Sequence, residues 1–318
     1  MAQRVEKTII GVDVSKDQLD IHVLTTDQLV SISNDTESIE QWLDSCPGPI
    51  CLAIEPTNIY HLGIAKAAHA RRHEVYLIDP YRLAHYRESV GQRTKADRQD
   101  ARLLTRYLQR EMGELRRWKP LAQGPQRFWH LLKRRAKLVQ TITRMKQSLT
   151  GLGALQTDID ALIAQCQLTV KKMDRALLAQ AKRLGWQQQV QYCQSIPGVG
   201  PLTALAMVAT YHRGKFLNVD TFIAFMGMDV RVRDSGHFRG KRKLTKKGEP
   251  ELRRILFNAA MRGRCNAHWE PYYLTLRARG LSSTAAFVAL GRKIARLCFV
   301  LLKNKTEFDP AYAHALAK

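Results

Sequence analysis

An aspartate stands inside the first strand-like segment of the chain and limits how that segment can fold. Residues 7–14 read Lys-Thr-Ile-Ile-Gly-Val-Asp-Val, and β-branched residues in such a run favour a buried strand. Asp13 lies inside this predicted strand. A buried carboxylate is unfavourable unless it is paired or coordinates a cation. The segment therefore predicts a sheet that holds a charged, functional position in one of its strands.

The order of the elements after this strand indicates the class of sheet. We predict strands at 7–14, 18–24, 28–33, 50–55 and 74–78 and helices at 36–45, 58–71 and 97–110. An antiparallel meander followed by alternating helices and strands is the order expected of an α/β, RNase H-like domain.

Three further acids stand where a metal site would need them. Glu55 ends a predicted strand, while Asp97 and Asp100 are three residues apart and so share one helix face. Divalent cations such as Mg²⁺ prefer oxygen ligands, and two ions about 4 Å apart can hold the attacking and leaving oxygens of a phosphodiester. Alone, Asp97 and Asp100 also fit solvated helix acids. Together with Asp13, Glu55 and the strand order, they predict a metal-dependent site.

The charge of the chain is large and unevenly distributed. The 318 residues include 51 Lys+Arg and 28 Asp+Glu, a formal net charge of +23. Residues 1–120 hold 17 basic and 17 acidic side chains, residues 121–193 hold 12 and 3, and residues 194–318 hold 22 and 8. Such an excess favours nucleic acid as the partner. We predict three domains with these boundaries: a catalytic domain followed by two basic regions that hold nucleic-acid backbone.

Several classes of protein do not fit this sequence. It contains no run of 18 apolar residues that could span a membrane, and its N-terminus leads into a strand rather than a signal-peptide core. The six cysteines are scattered and lack paired CxxC spacing. We therefore expect a cytoplasmic protein with reduced thiols, without a zinc site or a disulfide framework.

The middle region, 121–193, has a helical pattern. Gly151-Leu-Gly153 interrupts the pattern, which resumes over 156–190. The first half carries an apolar stripe among basic residues, made of Phe128, Leu131, Leu132, Leu138, Val139, Ile142, Met145 and Leu149. We predict a helical coiled-coil hairpin that pairs with another copy of the chain; helices packed only within one chain are the alternative.

The C-terminal region, 194–318, is predicted to be mainly α-helical and opens on a glycine-rich turn. Ile196-Pro-Gly-Val-Gly200, followed by Thr203-Ala-Leu, is typical of a helix-hairpin-helix motif. In such a turn Gly198 and Gly200 allow close approach to a nucleic-acid backbone, and the amides of the next helix N-terminus hold a phosphate. A loop that merely connects two helices is the alternative.

A strongly basic stretch follows at residues 231–248. It holds eight Lys+Arg within 231–247 together with turn-forming residues, a composition suited to wrapping phosphates. Ser235 lies inside it, and a serine hydroxyl can attack phosphorus if its proton is removed. An ordinary turn serine is the alternative. The predicted phosphate contacts are Arg231, Arg233, Arg239, Lys241, Arg242, Lys243, Lys246 and Lys247.

These motifs together resemble transposases of the bacterial insertion-sequence family one-ten. The matching residues are Asp13 in Gly-Val-Asp-Val-Ser-Lys, Glu55 in Ala-Ile-Glu-Pro-Thr, and Asp97 with Asp100 in Lys-Ala-Asp-Arg-Gln-Asp-Ala. Ser235 matches the family's Asp-Ser-Gly-type motif before a basic loop. Lys16 belongs to the first of these motifs and fits either a phosphate contact or a solvated turn lysine.

The resemblance implies a specific activity. It implies a RuvC-like domain whose Asp-Glu-Asp-Asp set binds Mg²⁺, for which Mn²⁺ can substitute. It implies that Ser235 is the nucleophile and becomes linked to DNA, at a site completed between subunits of a homo-oligomer, a dimer or a tetramer. It further implies donor and target DNA as substrates, a structured noncoding guide RNA encoded by the element, and association with the nucleoid. No RNA-recognition motif is evident from the residues themselves.

Three other functions stay open on the sequence. A RuvC-like nuclease or junction resolvase would use the acids without serine chemistry. A non-catalytic, architectural nucleic-acid binder would use the basic regions alone. An actin-like sugar or acetate kinase also opens with a Gly-Val-Asp strand hairpin, but it needs a glycine-rich phosphate turn where this chain has Val14-Ser-Lys-Asp17.

Overall fold

A computed structural model describes residues 7–91, 97–120, 122–231, 234–235, 238–239 and 242–310. For residues 97, 98, 234, 235, 238 and 239 the description covers the backbone only. The chain divides into two compact units, Met1–Pro120 and Leu121–Lys318. The division of the second unit into two domains stays a prediction.

The first unit is built on a five-stranded mixed sheet. Its order is β3-β2-β1-β4-β5, with β1 antiparallel to β2 and parallel to β4. The meander and the following parallel strands therefore come together around β1, which is the central strand. The strands are β1 (Thr8–Val14), β2 (Gln18–Val23), β3 (Gln28–Ser33), β4 (Ile50–Ile54) and β5 (Glu74–Leu77).

Helices cover both faces of this sheet, because side chains alternate between the faces along each strand. One core contains Val12, Val14 and Ile54 packed with residues of α1 and α2. The other contains Cys51 and Ala53 packed with residues of α3 and α4. The helices are α1 (Thr36–Asp44), α2 (Leu62–Ala70), α3 (Pro80–Ser89) and α4 (Asp97–Glu111).

Two helices of this unit differ from the sequence prediction. Helix α2 begins at Leu62 rather than at residue 58, because Asn58 has a left-handed φ of 45° and interrupts the turn before it. Helix α3 was not predicted. Pro80 lies three residues after the end of β5 and occupies the first turn of α3, where its missing N–H is not needed, and the Asp79 side chain caps that turn.

The second unit begins with a hairpin of two long helices, α5 (Gln123–Ser148) and α6 (Gln156–Arg183). Arg135 of α5 makes a two-point ion pair with Asp174 of α6, with N···O distances of 2.6 and 3.2 Å. Near the open end of the hairpin, Phe128 and Leu177 belong to the core of the C-terminal helices. The hairpin is therefore anchored at one end within its own unit.

Part of the predicted apolar stripe is covered inside the chain. Phe128, Leu132 and Ile142 are buried, whereas Leu138, Val139, Met145 and Leu149 are half-buried. Exposed leucines lie instead on α6 and just before it, at Leu152, Leu155, Leu162, Leu168 and Leu178. Pairing with another copy of the chain stays a prediction.

The remaining helices form one large core around α12. Residues of α8, α10 and α12 contribute most of its fully buried side chains. The helices are α7 (Gln187–Gln194), α8 (Pro201–Tyr211), α9 (Val219–Phe225), α10 (Pro250–Gly263), α11 (Glu270–Ala278) and α12 (Ser283–Asn304).

All six cysteines are free, as predicted. No helix of the described residues is long and apolar enough to cross a membrane.

Candidate active site

Asp13 and Glu55 lie at equivalent levels of two neighbouring parallel strands. Val12 of β1 pairs with Ile54 of β4, and the two acids are the next residues of their chains. Both are half-buried. Because parallel strands end at the same edge of a sheet, this register places two carboxylates side by side at the carboxyl end of β1 and β4.

Helix α4 packs on one face of the sheet. Because side chains alternate between the two faces along a strand, Asp13 belongs to this same face. Gly11, two residues earlier on the same face, is in close contact with this helix: a Cβ added there would lie 2.1 Å from the Ala101 carbonyl oxygen and 2.5 Å from Thr105 Oγ1. Glycine is therefore required at this position, because any side chain would push α4 off the sheet. Asp97 and Asp100 belong to the first turn of α4, one turn before this contact.

A buried histidine fastens α4 to the neighbouring strand. His22 of β2 bonds Thr105 through Nδ1 at 3.0 Å and Asp27 through Nε2 at 2.8 Å. Thr105 Oγ1 also donates to the Ala101 carbonyl at 2.9 Å. The hydrogen bond from His22 lowers the pKa of the Asp27 carboxyl, as does the nearby Arg102. These contacts fix the position of α4 along the sheet, and sequence patterns gave no sign of them.

Asp100 is the most deeply buried of the three predicted acids whose side chains the structure describes. It is 2% exposed, and its Oδ1 accepts from Nη2 of Arg87 at 2.8 Å. Arg87 lies in the last turn of α3. A carboxylate buried to this degree needs such a partner, since an unpaired charge there would be strongly destabilising.

The donor chemistry of the set fits a hard divalent cation. Asp13, Glu55 and Asp100 offer carboxylate oxygens, which Mg²⁺ prefers. Among the side chains that the structure describes, no three His, Cys, Asp or Glu lie close enough together to hold a metal ion. The side chain of Asp97 is outside that description, and Asp100 is engaged by Arg87. The acids therefore offer suitable ligand atoms, and Asp13 and Glu55 lie at suitable strand positions. That the four acids together bind a metal stays a prediction.

A groove of about 240 Å³ opens beside the loops that follow the two strand acids. Lys16, three residues after Asp13, and Ile59 and Tyr60, which follow Glu55, are among its lining residues. Asn34 joins the two loops by donating to the Ser15 carbonyl at 2.8 Å and, more weakly, to the Tyr60 carbonyl at 3.3 Å. Lys16 is exposed in this groove, which is compatible with either interpretation of that lysine.

The basic stretch of the second unit contains short antiparallel strands rather than a plain loop. Strand β6 (Val230–Arg231) pairs with β9 (Lys243–Leu244), and β7 (Asp234–Ser235) pairs with β8 (Phe238–Arg239). Ser235 pairs with Phe238 and is the last residue of β7. The two ladders place the serine beyond the paired stem, on strands too short and polar for an alternation pattern to predict.

The base of this basic hairpin is closed by tight backbone contacts. A Cβ at Gly248 would lie 2.6 Å from the Phe225 carbonyl oxygen, and one at Gly227 would lie 2.7 Å from the Lys247 nitrogen. Arg253 of α10 donates to the carbonyls of Met226 and Gly248 at 3.1 and 2.9 Å. The stem therefore rises from a fixed base on the helical core.

The predicted phosphate contacts of this stretch are described in part. Arg231, Arg242, Lys243, Lys246 and Lys247 are exposed. Arg239 is described by its backbone only, and Arg233 and Lys241 lie outside the described residues. Contact with nucleic acid stays a prediction for all eight cations.

The glycine-rich turn joins α7 to α8, and its two predicted glycines differ. A Cβ at Gly198, where φ is +89°, would lie 2.6 Å from the Gly263 Cα, so its close approach is to α10 of the same chain. Trp269 Nε1 also donates to the Pro197 carbonyl at 2.8 Å, which holds the turn against the core. A Cβ at Gly200 would meet nothing within 4 Å. Glycine at position 198 is thus explained by packing within the chain, whereas Gly200 faces open space before the first turn of α8.

Comparison with known families covers both functional regions. A DEDD transposase model of IS110 type matches residues 10–156, and a model described as "Transposase IS116/IS110/IS902 family" matches residues 190–274. The chain belongs to the IS110 family of transposases. The first match spans the sheet, the four acids and the helical hairpin as far as residue 156, and the second spans the glycine-rich turn and the Ser235 hairpin.

Two similar proteins agree with this assignment over nearly their whole length. The chain is 24% identical over 321 residues to a protein named pilin gene-inverting protein from Moraxella lacunata, covering 95% of this chain and 98% of the relative. It is 23% identical over 326 residues to a protein of the same name from Moraxella bovis, with the same coverage. The predicted family is therefore confirmed. This IS110 transposase is a DNA recombinase by class, and DNA is its expected substrate.

Proposed function

We propose that this IS110 transposase cuts and rejoins DNA with a divalent-metal site at Asp13, Glu55, Asp97 and Asp100 and with Ser235 as the nucleophile. The observation that carries the proposal is the register of β1 and β4. It sets Asp13 and Glu55 side by side at one sheet edge, with the first turn of α4 on the face toward which Asp13 alternates. The strand order around them is the one expected of an RNase H-like domain, which supports the same interpretation.

The acids have separate tasks at this edge. Asp13 and Glu55, carried by buried strands, would hold the ion in a fixed place, and Asp97 and Asp100 would complete its coordination from the helix. Bound Mg²⁺ would polarise the phosphoryl oxygens of the scissile group and stabilise the charge on the attacking and leaving oxygens. DEDD transposase domains generally use a divalent metal, so the donor set agrees with the class. The packing of Gly11 and His22 against α4 would keep the helix acids at the right depth.

Ser235 would make and later break one phosphodiester bond. Its hydroxyl oxygen attacks phosphorus, the bond from phosphorus to one deoxyribose oxygen breaks, and the serine proton is transferred, directly or through water, to that released oxygen. One phosphate ester replaces another, so the energy of the broken bond is retained in the phosphoserine linkage. Attack by a second DNA hydroxyl then breaks the bond between phosphorus and the serine oxygen, and the proton lost by that hydroxyl passes, directly or through water, to the serine. Rejoining needs no ATP, and the sequence contains no P-loop motif that would couple ATP to ligation.

The basic residues would hold the nucleic acid while this exchange occurs. Contacts from the cations of the hairpin stem go to phosphates and are independent of sequence. Target choice would then come from base pairing with a structured noncoding guide RNA, which the family resemblance implies and the net charge of +23 accommodates. The names of the two Moraxella relatives support a reaction that can invert a DNA segment.

Assembly would complete the site. We infer a homo-oligomer in which the acidic unit of one copy acts with Ser235 of another. The exposed leucines of α6 supply an apolar surface for the contact between copies.

The test is a search for a covalent protein–DNA adduct. Full-length protein, co-expressed element RNA and end-labelled element-junction DNA are incubated with Mg²⁺ and resolved on a denaturing gel. We expect an adduct with the wild type, its loss in Ser235→Ala, and its loss in Asp13→Asn. Both variants should bind DNA nearly as well as the wild type, since neither removes a cation that contacts phosphate.

The outcomes separate the competing functions. An adduct that persists in Ser235→Ala moves the nucleophile to another hydroxyl. Strand scission without any adduct, still lost in Asp13→Asn, assigns the chain to the nucleases that use water. DNA binding with no Mg²⁺-dependent scission assigns it to the architectural binders.

A further inference from the structure

Arg87 and Asp100 form an ion pair that the proposed reaction does not use. Arg87 Nη2 lies 2.8 Å from Asp100 Oδ1, the carboxylate is almost fully buried, and the arginine side chain is 19% exposed. The guanidinium thus supplies the positive charge that this buried carboxylate requires. In the proposed site, a divalent ion would have to supply that charge instead.

Arg87 and a divalent ion would compete for the single negative charge of this carboxylate. An oxygen that coordinates Mg²⁺ does so at about 2.1 Å, and a guanidinium that keeps a short contact with the same oxygen would meet strong repulsion from the ion. Asp100 is fixed by the first turn of α4, whereas Arg87 reaches it on a long side chain from the end of α3. The arginine is therefore the partner that can move.

The surroundings of Arg87 include two buried polar atoms without hydrogen bonds. Arg87 Nε and the hydroxyl oxygen of Tyr86 are buried and have no hydrogen-bond partner among the described residues. The Tyr86 ring is held edge-on against Tyr107 of α4, with centroids 5.1 Å apart. Buried donors are normally satisfied, so two adjacent exceptions indicate an arrangement that another state of the site improves.

We propose that Arg87 is a positioning residue whose guanidinium occupies the metal position beside Asp100 until a divalent ion displaces it. It holds the carboxylate in the ion-free protein and prevents repulsion among the acids. When the ion binds, the guanidinium leaves Asp100 and turns its free N–H groups, Nε included, toward the phosphate backbone at the site. This inference rests on the proposed metal role of Asp100.

The test measures metal binding by the full-length protein without nucleic acid, so that activity is not the readout. Titration calorimetry with Mn²⁺ is run on the wild type, Arg87→Gln, Asp100→Asn and Arg82→Gln, the last being an exposed arginine of the same helix. We expect Arg87→Gln to bind Mn²⁺ about tenfold more tightly, or ~1.4 kcal/mol, because the competing cation is gone. Arg82→Gln should match the wild type and Asp100→Asn should lose the site.

A second readout does not depend on a stable glutamine variant. The guanidinium NMR signal of Arg87, assigned by its loss in Arg87→Lys, should shift when Mg²⁺ is added to the wild type, with the same midpoint as a calorimetric titration with Mg²⁺. Two outcomes would make the pair purely structural. One is an Arg87 signal that does not move at saturating Mg²⁺. The other is that Arg87→Gln binds Mn²⁺ no more tightly than the wild type, while the wild type still shows binding that depends on Asp100. Absence of Asp100-dependent binding in the wild type would instead overturn the proposed metal site itself.

Discussion

The carboxyl end of β1 and β4 and the Ser235 hairpin hold their proposed functional residues in different ways. Asp13 lies on the central strand of a five-stranded sheet that has a hydrophobic core on each face. Ser235 lies on a two-residue strand beyond a two-residue stem, and what fixes that stem is its base at Gly227, Gly248 and Arg253. Metal ligands must keep their positions within a fraction of an ångström. A nucleophile needs its exact alignment with phosphorus only once the DNA is bound, so before that a fixed base for the hairpin is enough.

The difference predicts different sensitivities in the two regions. A small change in packing under the acids should alter the whole first unit, because strands, helices and ligands share one close-packed core. A comparable change near the serine should act through the hairpin base or through nucleic-acid contacts.

The largest effect should come from removing one strand carboxylate. Glu55→Gln keeps the size of the side chain but weakens its metal coordination, so DNA cleavage should fall at least about a hundredfold at fixed Mg²⁺. Single-turnover cleavage measures the rate, and filter binding should show unchanged DNA affinity. Glu114→Gln, an exposed acid of the same unit, is the control. If Glu55→Gln cleaves at the rate of that control, Glu55 is not a ligand.

The second effect tests the packing under the acids. Gly11→Ala brings a Cβ to 2.1 Å from the Ala101 carbonyl oxygen, so α4 must move away from the sheet. We expect a loss of about 1–3 kcal/mol in the free energy of unfolding and weaker Mn²⁺ binding. Urea denaturation and calorimetry measure the two quantities.

Gly113→Ala is the matched control for this packing test, because a Cβ there meets nothing within 4 Å. Equal stability of Gly11→Ala and Gly113→Ala would contradict the close contact between α4 and β1.

Part of this arrangement could be predicted from the sequence. The β-branched run around Asp13 and the helical spacing of α4 are strong local signals, and both elements form where they were expected. Helix α3 was missed, because its sequence, Pro-Tyr-Arg-Leu-Ala-His-Tyr-Arg-Glu-Ser, has a single fully buried residue, Leu83, and so no apolar stripe. The one signal for it is the Asp79-Pro80 pair, because a capping aspartate followed by proline is typical of a helix N-terminus.

The contacts that adjust the site were not predictable by pattern. The pairing of Arg87 with Asp100 and of His22 with Thr105 joins residues 13 and 83 positions apart. Such pairs depend on how helices cross the sheet, which a single sequence does not encode locally. Gly198 has a packing role that the pattern did not reveal: it fits a motif that binds backbone phosphate, and a Cβ there would also meet Gly263 of α10.

The third effect separates packing within the chain from contact with DNA in the glycine-rich turn. Gly198→Ala places a Cβ 2.6 Å from the Gly263 Cα at a left-handed φ, so it should destabilise the second unit by about 2 kcal/mol. Gly200→Ala should leave stability unchanged and reduce DNA affinity several-fold if the DNA backbone approaches this residue. Thermal denaturation and DNA titration of both variants measure this difference. Unchanged affinity in Gly200→Ala would remove the turn from the DNA interface.

The smallest effect concerns a buried acid that serves the fold of the first unit and not its chemistry. Glu74 begins β5 and is 9% exposed, with Lys7 at 2.5 Å and Arg117 at 2.7 Å. Burial alone would raise the pKa of Glu74, but the hydrogen bonds from Lys7 and Tyr76 and the charge of Arg117 outweigh it, so the pKa is below the ordinary value.

A lowered pKa in the folded state has a defined consequence for stability. The contribution of Glu74 is complete above the ordinary carboxyl pKa and is lost as the pH falls through the lower, folded value. Glu74→Gln should therefore be less stable than the wild type by about 1–2 kcal/mol at pH 7. That difference should shrink as the pH is lowered below about 4, where the unfolded carboxyl is already protonated.

Hydrogen exchange of peptides from β4 and β5, followed from pH 7 to pH 3 with rates corrected for intrinsic pH dependence, measures the difference strand by strand. Peptides from α10 and α12 in the second unit should be unaffected, as should DNA binding, because the ion pairs of Glu74 lie within the first unit. A difference that stays constant down to pH 3 would show that Glu74 stabilises β5 through size and hydrogen bonding, which glutamine retains in part, and not through its charge.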